Sequence, residues 1–218
     1  MTESKKPSMR AAVIPVTPLQ QNCSVIWDDA TKVGAVVDPG GDVETILGVI
    51  AEVGMKPEKI VLTHGHIDHA GGAAELKEKL EVPIEGPHEA DKFLLSGLEE
   101  QSQQYGIEAR NVKPDKWLTE ADTLTIGPHS FEIKHCPGHS PGSLVYINHA
   151  HKFILMGDVV FQGSIGRTDF PYGDHAALIN AIKTKLLVLD DAYAFIPGHG
   201  PGSSIGMERQ SNPFLRGA

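Results

Sequence analysis

Thr63-His64-Gly65-His66-Ile67-Asp68-His69 follows directly on the apolar run Ile60-Val61-Leu62, and it sets three imidazoles and a carboxylate within six residues, His64 to His69. A hydrophobic core has no use for such a density of metal-binding groups, and an adventitious histidine tag sits at a terminus rather than at a mid-chain strand-to-helix junction. Residues two apart in an extended strand end share a face, so the stretch predicts that His64, His66 and Asp68 converge, with a turn swinging His69 beside Asp68. Neutral imidazole nitrogen and carboxylate oxygen are zinc donors, and a zinc site kept open to water is a hydrolytic centre.

Upstream, short β-branched runs predict strands over 9–16, 23–27 and 33–37. Asp42 is placed to cap a helix through Val53, with Val43, Ile46, Leu47 and Ile50 at helical spacing and Gly54 as its stop. A strand over 59–62 leads into the histidine loop and a helix over 70–80. A brief strand over 83–85 and a helix over 89–104 complete the first half. Strands follow over 124–126, 130–135, 143–147 and 152–156, then a helix over 175–187, a strand over 193–196 and a short helix over 203–209. Strand, loop and helix alternate as in a layered α/β sandwich. No solenoid repeat interrupts the pattern.

The chain of 218 residues fits one domain over 9–218 behind a polar, disordered tail over 1–8. No apolar run reaches the roughly 18 residues of a membrane span, and the start carries Lys5-Lys6 without an apolar signal core, so a soluble, cytoplasmic protein is expected. Cys23 and Cys136 allow at most one bridge and read as small buried residues of a reducing compartment. A net charge of −9 and the lack of a basic run disfavour nucleic acid as a partner.

Three more stretches set ligand-type residues after predicted strands, each flanked by glycine or proline: His135-Cys136-Pro137-Gly138-His139, Gly157-Asp158 and Gly198-His199-Gly200. With the first loop they supply seven candidate ligands, enough for two metals. Asp38 serves equally as a partner for a ligand imidazole or as the cap of a Pro-Gly turn. His88, His129, His135, His149, His151 and His175 are read as surface or turn residues, His135 lying on its strand. Gly198-His199-Gly200-Pro201-Gly202 lacks the Lys-Ser/Thr of a phosphate loop and reads as a tight turn.

This pattern, H-x-H-x-D-H followed at long intervals by His, Asp and His, resembles the metallo-β-lactamase superfamily over nearly the whole chain. The resemblance implies an αββα sandwich in which His64, His66 and His139 hold one metal, Asp68, His69 and His199 the other, and Asp158 bridges them. It implies two divalent ions, zinc first, with iron or manganese accepted by the same donors. It further implies attack by a metal-bridging hydroxide, with Asp68 also accepting the proton of the water.

Pro15-Val16-Thr17, Gln21-Asn22-Cys23, Val37-Asp38-Pro39-Gly40-Gly41, Gly166-Arg167-Thr168-Asp169-Phe170-Pro171 and Asn212-Pro213-Phe214-Leu215 are similar to the short bacterial glyoxalase II type. That likeness implies hydrolysis of S-D-lactoylglutathione to D-lactate and glutathione, with Arg167 facing a glutathione carboxylate. Larger members grip glutathione with a C-terminal helical domain, whereas 19 residues follow His199, so weaker affinity or another thioester is expected. The same scaffold also serves persulfide dioxygenases with a single iron, and lactonases.

Overall fold

The computed structural model describes residues 8–216. Of the tail expected over 1–8, residues 1–7 lie outside the described residues, while Ser8 is ordered and accepts a hydrogen bond from the Asp29 N–H at 2.8 Å. In chain order the strands are β1 (Met9–Val16), β2 (Gln21–Asp28), β3 (Val33–Val37), β4 (Lys56–Val61), β5 (Ile84–Glu85), β6 (Thr123–Ile126), β7 (His129–His135), β8 (Leu144–Asn148), β9 (Phe153–Gly157), β10 (Val160–Phe161), β11 (Ser164–Ile165), β12 (Ala194–Pro197) and β13 (Ser203–Ser204). The helices are α1 (Val43–Val53), α2 (Ile67–Ala70), α3 (Ala73–Leu80), α4 (Lys92–Leu95), α5 (Leu98–Tyr105), α6 (His175–Ala181) and α7 (Ile205–Ser211).

Two sheets carry the architecture, one in the order β1-β2-β3-β4-β5 and one in the order β13-β12-β9-β8-β7-β6, with β10 and β11 forming a separate ribbon. The central strands of each sheet are buried on both faces, the edge strands β1 and β6 on one, and the period-two alternation sorts side chains into layers. Val25, Val36 and Ile60 point outward to Ile46, Ile50 and Leu76 of α1 and α3. Their neighbours Ile26, Ala35, Val37 and Val61 point inward to Phe131, Ile133, Leu144, Tyr146 and Leu155 of the other sheet. On that second sheet Val145, Ile147, Ile154 and Met156 turn to Leu178 of α6, to Ile182 in the π-helical turn over Ile182–Leu186 that continues it, and to Ile205 of α7. Three apolar layers between four layers of structure make the αββα sandwich.

Several local expectations give way to tertiary demands. The helix foreseen over 70–80 begins earlier, at Ile67, and is split after Ala70 because Gly72 donates its N–H to Pro39 O at 2.9 Å. Asp42 heads α1 in the left-handed region, φ 49°, yet makes no side-chain cap. Its carboxylate instead accepts the Thr17 N–H at 2.7 Å, joining the first loop to the helix start. The helix over 89–104 breaks at Ser96-Gly97 into α4 and α5, preceded by a 3-10 turn over Glu89–Asp91. The helix expected over 203–209 starts two residues later, after Ser203–Ser204 pairs with β12. His129, expected at the surface, is buried, and its ring faces Asp28 at 3.3 Å. Cys23 and Cys136 are free and buried, and burial pushes the Cys136 thiol up to about 12.

The two sheets are locked where the first histidine loop begins. The fully buried Tyr146 donates its hydroxyl to Leu62 O at 2.6 Å, and Leu144 N–H donates to Thr63 O at 2.8 Å. Tyr146→Phe leaves a buried carbonyl without its donor, so the urea midpoint should fall by the equivalent of about 1–2 kcal/mol; an unchanged midpoint would show that this bond does not tie the sheets.

Candidate metal centre

β7 and β9 both run antiparallel to β8, and β12 runs parallel to β9, so the carboxyl ends of β7, β9 and β12 share one edge of the second sheet. The residues that follow them, His139, Asp158 and His199, therefore meet above that edge. The end of β4 delivers His64 and His66 from the other sheet. At His66 the backbone is extended and then turns into α2, which carries Asp68 and His69.

The seven side chains gather as two adjoining groups. His66 Nδ1 lies 3.0 Å from His64 Nε2 and 2.9 Å from His139 Nε2. His199 Nε2 lies 3.1 Å from Asp68 Oδ2, and His69 Nε2 lies 3.8 Å from the same oxygen. Asp158 faces both groups: Oδ1 is 3.3 Å from His69 Nε2, and Oδ2 is 3.5 Å from His139 Nε2 and 3.6 Å from His199 Nε2. The donor atoms of His64, His66 and His139, and those of Asp68, His69 and His199, each fall within 4.8 Å of one another. Asp68 does not join His64 and His66 as an extended loop would have it. The helical turn of α2 rotates it by about 100° per residue and places it in the second group.

The chemistry of the donors fits cations. Three nitrogens bound tetrahedrally at about 2.05 Å would stand about 3.3 Å apart, and two of the separations here are 3.0 and 2.9 Å. His69 Nε2 and Asp158 Oδ1 are fully buried and face each other at 3.3 Å without a well-formed hydrogen bond, so two strong ligand atoms are left for a cation to satisfy. Burial, and then the neighbouring His139, drive His66 down to about 3, and burial holds His64 well below the usual imidazole range, so both rings are neutral with lone pairs to offer. In the second group burial opposes charge but is outweighed. Asp158 and Asp68 hold His69 well above the usual range, and Asp158 itself lies well below the ordinary carboxylate range against His69. A cation placed in that group would take over the role of the proton on His69.

Outer partners fix the rings. Asp38 accepts the Thr63 N–H at 2.7 Å, the Thr63 hydroxyl at 2.6 Å and His69 Nδ1 at 2.9 Å. It thus partners an imidazole, with φ 51°, while also turning the chain before Pro39. Gly198 is required at its position, since a Cβ there would overlap Asp158 Oδ1 and stand 2.6 Å from His69 Cε1. Asn22 secures the His199 loop by donating to Pro197 O at 3.0 Å and Gly200 O at 2.8 Å.

Residues 16–199 match the Metallo-beta-lactamase superfamily. The chain belongs to that superfamily. It is 48% identical to the hydroxyacylglutathione hydrolase GloC of Haemophilus influenzae over 95% of this chain and 98% of that one. The superfamily fold is matched by the crystal structure of BLEG-1 B3 metallo-beta-lactamase, at 37% identity and TM-score 0.87 over 94% of this chain and 99% of that one. It is matched also by TTHA1623 in a di-iron-bound form, at 34% identity and TM-score 0.85 over 94% and 100%.

The superfamily edge opens into a cleft of about 520 Å³ lined by His66, Asp68, His139, Asp158 and His199 on its floor and by Tyr105, Phe161, Phe170 and Tyr172 on its walls. Arg167 lines it too, but is held by both oxygens of Asp169, each at 2.7 Å, with its guanidinium 4.4 Å over the Phe170 ring. The Phe170 and Tyr172 rings are stacked at 5.3 Å. Burial raises the Tyr172 phenol to about 12. His135 is not among the converging groups; it stacks on His88 at 4.3 Å and meets Pro141 O at 2.7 Å.

Sequence reasoning missed Asp91, whose fully buried carboxylate accepts the Gly65 N–H at 2.8 Å, the Gly142 N–H at 2.6 Å and the Ser140 hydroxyl at 2.7 Å. It binds the loop of His64 and His66 to the loop of His139. The only signal for it was an aspartate within a helical run, and nothing local marks such a residue as a staple. Asp91→Ala strands two buried amide donors, Gly65 N–H and Gly142 N–H, and leaves the Ser140 hydroxyl only Ser143, so stability should drop by about 2–4 kcal/mol. Chemical denaturation reads the loss, and a drop below about 1 kcal/mol would deny the staple its role.

Proposed function

We propose that this protein is a metal-dependent hydrolase of glutathione thioesters, converting S-D-lactoylglutathione to D-lactate and glutathione. The observation that carries the reading is the convergence of seven side chains into two adjoining donor groups with Asp158 turned to both. His64, His66 and His139 would hold one divalent ion, Asp68, His69 and His199 the other, with Asp158 shared. Two such ions, zinc first, with iron or manganese accepted by the same donors, would supply Lewis acidity toward a carbonyl oxygen and lower the pKa of water toward neutral pH.

The chain's own residues do the rest. Asp68 Oδ2, 3.1 Å from His199 Nε2 and open to the cleft, is the base within reach of a water proton. The aromatic walls of Phe170, Tyr172, Tyr105 and Phe161 give a thioester an apolar surface to pack against with its carbonyl toward the histidine floor. The identity of 48% over nearly the full length of the hydroxyacylglutathione hydrolase supports the choice of thioester. A cytoplasmic setting suits free, buried Cys23 and Cys136 and a reduced glutathione pool. The second donor group argues against the one-iron dioxygenase reading, which uses a single set of ligands. β-Lactam hydrolysis is a second reading, favoured by the likeness to BLEG-1.

Elemental analysis of purified protein should give two ions per chain, and chelation should abolish thioester hydrolysis, with divalent metal restoring it. Asp158→Ala and His66→Ala should each lower kcat/KM by about a thousandfold or more while leaving a folded chain; near wild-type turnover in either would overturn the two-ion reading. Arg167 is already neutralised by Asp169, so its grip on a substrate carboxylate is proposed to be partial. Arg167→Ala should raise KM for glutathione thioesters by about fivefold, worth about 1 kcal/mol, and Asp169→Ala should lower it by freeing the guanidinium. If KM is the same in both variants as in wild type, Arg167 does not touch the substrate.

A further inference from the structure

Five imidazoles converge at the centre, and each has a second ring nitrogen turned away from it. Four are met by the scaffold. His64 Nδ1 lies 3.0 Å from Thr63 Oγ1, His69 Nδ1 2.9 Å from Asp38 Oδ2, His139 Nδ1 2.9 Å from Arg167 O and His199 Nδ1 3.2 Å from Leu19 O. The fifth differs in kind: His66 Nε2 meets a side chain of the cleft wall, Tyr172 Oη, at 2.8 Å.

The direction of that bond follows from proton counting. A neutral imidazole carries one N–H. His66 Nδ1 is turned toward His64 Nε2 and His139 Nε2, so a lone pair offered there leaves the proton on Nε2, which donates to Tyr172 Oη. Tyr172 is itself held in place, its ring stacked on Phe170 at an interplanar angle of 11° and met edge-on by Phe93 at 5.2 Å. The acceptor is therefore fixed by aromatic packing on the loop between β11 and α6, outside both sheets.

We propose that Tyr172 is a positioning residue for His66: by accepting its Nε2–H it holds the ring in the tautomer and orientation that present Nδ1 to a cation shared with His64 and His139. The inference rests on the reading above that these three histidines hold an ion. It makes His66 the one imidazole of these five whose outer nitrogen is held by a side chain of the cleft wall, since the cleft residues Arg167 and Leu19 meet His139 and His199 through backbone carbonyls.

The test is competition for Zn2+ between the metal-free protein and a chromophoric chelator, together with the absorption spectrum of the Co2+-loaded protein. Tyr172→Phe keeps the ring and removes only the acceptor. It should weaken one of the two Zn2+ sites by about ten- to a hundredfold, leave the other unchanged and shift the Co2+ bands. Tyr105→Phe, which removes a hydroxyl elsewhere in the cleft wall and leaves the Phe170–Tyr172 stack in place, should retain wild-type Zn2+ affinity. Tyr172→Phe with two wild-type affinities and an unaltered Co2+ spectrum would overturn the proposal, as would an equal loss in Tyr105→Phe, which would assign the effect to the wall in general. A wild-type protein that takes up no Zn2+ would instead remove the reading of the centre itself, so the two failures are separable.

Discussion

A single buried carboxylate, that of Asp158, lies between imidazoles delivered from both sheets, with His69 on one oxygen and His139 and His199 on the other. Burying such a charge is expensive unless partners surround it. Those partners reach it only if β4, β7, β9 and β12 all end at the same rim and if α2 starts at once after the first loop. The sandwich supplies that rim because β7, β9 and β12 point one way across the second sheet. Gly198 is the steric counterpart, since any side chain there would occupy the space of the carboxylate.

Convergence of so many donors has to be held against mutual repulsion and desolvation, and the structure does it with anionic staples beneath the rim. Asp38 gathers Thr63 and His69, and Asp91 gathers Gly65, Ser140 and Gly142. Burial pushes the Asp91 carboxyl up, and its bonds to Ser140, Gly65 and Gly142 oppose this, so the cost of hiding the charge is partly returned as order in two loops. Asn22 performs the same service neutrally for the loop of His199. The C-terminal end is tied in similar fashion: buried Asn212 donates to Ser164 O at 2.9 Å and to Glu208 Oε2 at 2.9 Å, fastening α7 beneath the ribbon of β10 and β11.

Much of this was legible from local pattern. β1 and β3 begin and end where β-branched alternation predicts, and Gly54 stops α1 in the left-handed conformation that glycine favours, φ 67°. The reading went astray where a distant group outbid the local rule. Asp42 looks like a helix cap, but Thr17 N–H claims its carboxylate. Residues 70–80 look like one helix, but Pro39 O takes the Gly72 N–H. Asp68 looks like a strand-face partner of His66, but α2 begins one residue earlier than Asp68 and swings it toward His199. The ribbon of β10 and β11 was not foreseen, since two-residue strands carry no periodicity.

The sequence by itself determined the layered α/β architecture, the positions of the histidine and aspartate loops after strands and the two buried cysteines, because apolar periodicity and turn residues act over a few neighbours. Only the tertiary structure decided which nitrogen faces which oxygen, that Asp91 reaches Ser140 across 49 residues to join two loops, and that Tyr172, 106 residues beyond His66, meets its ring. Those choices depend on how the two sheets pack face to face, and no local signal along a chain encodes the distance between residues that meet only once both sheets have formed.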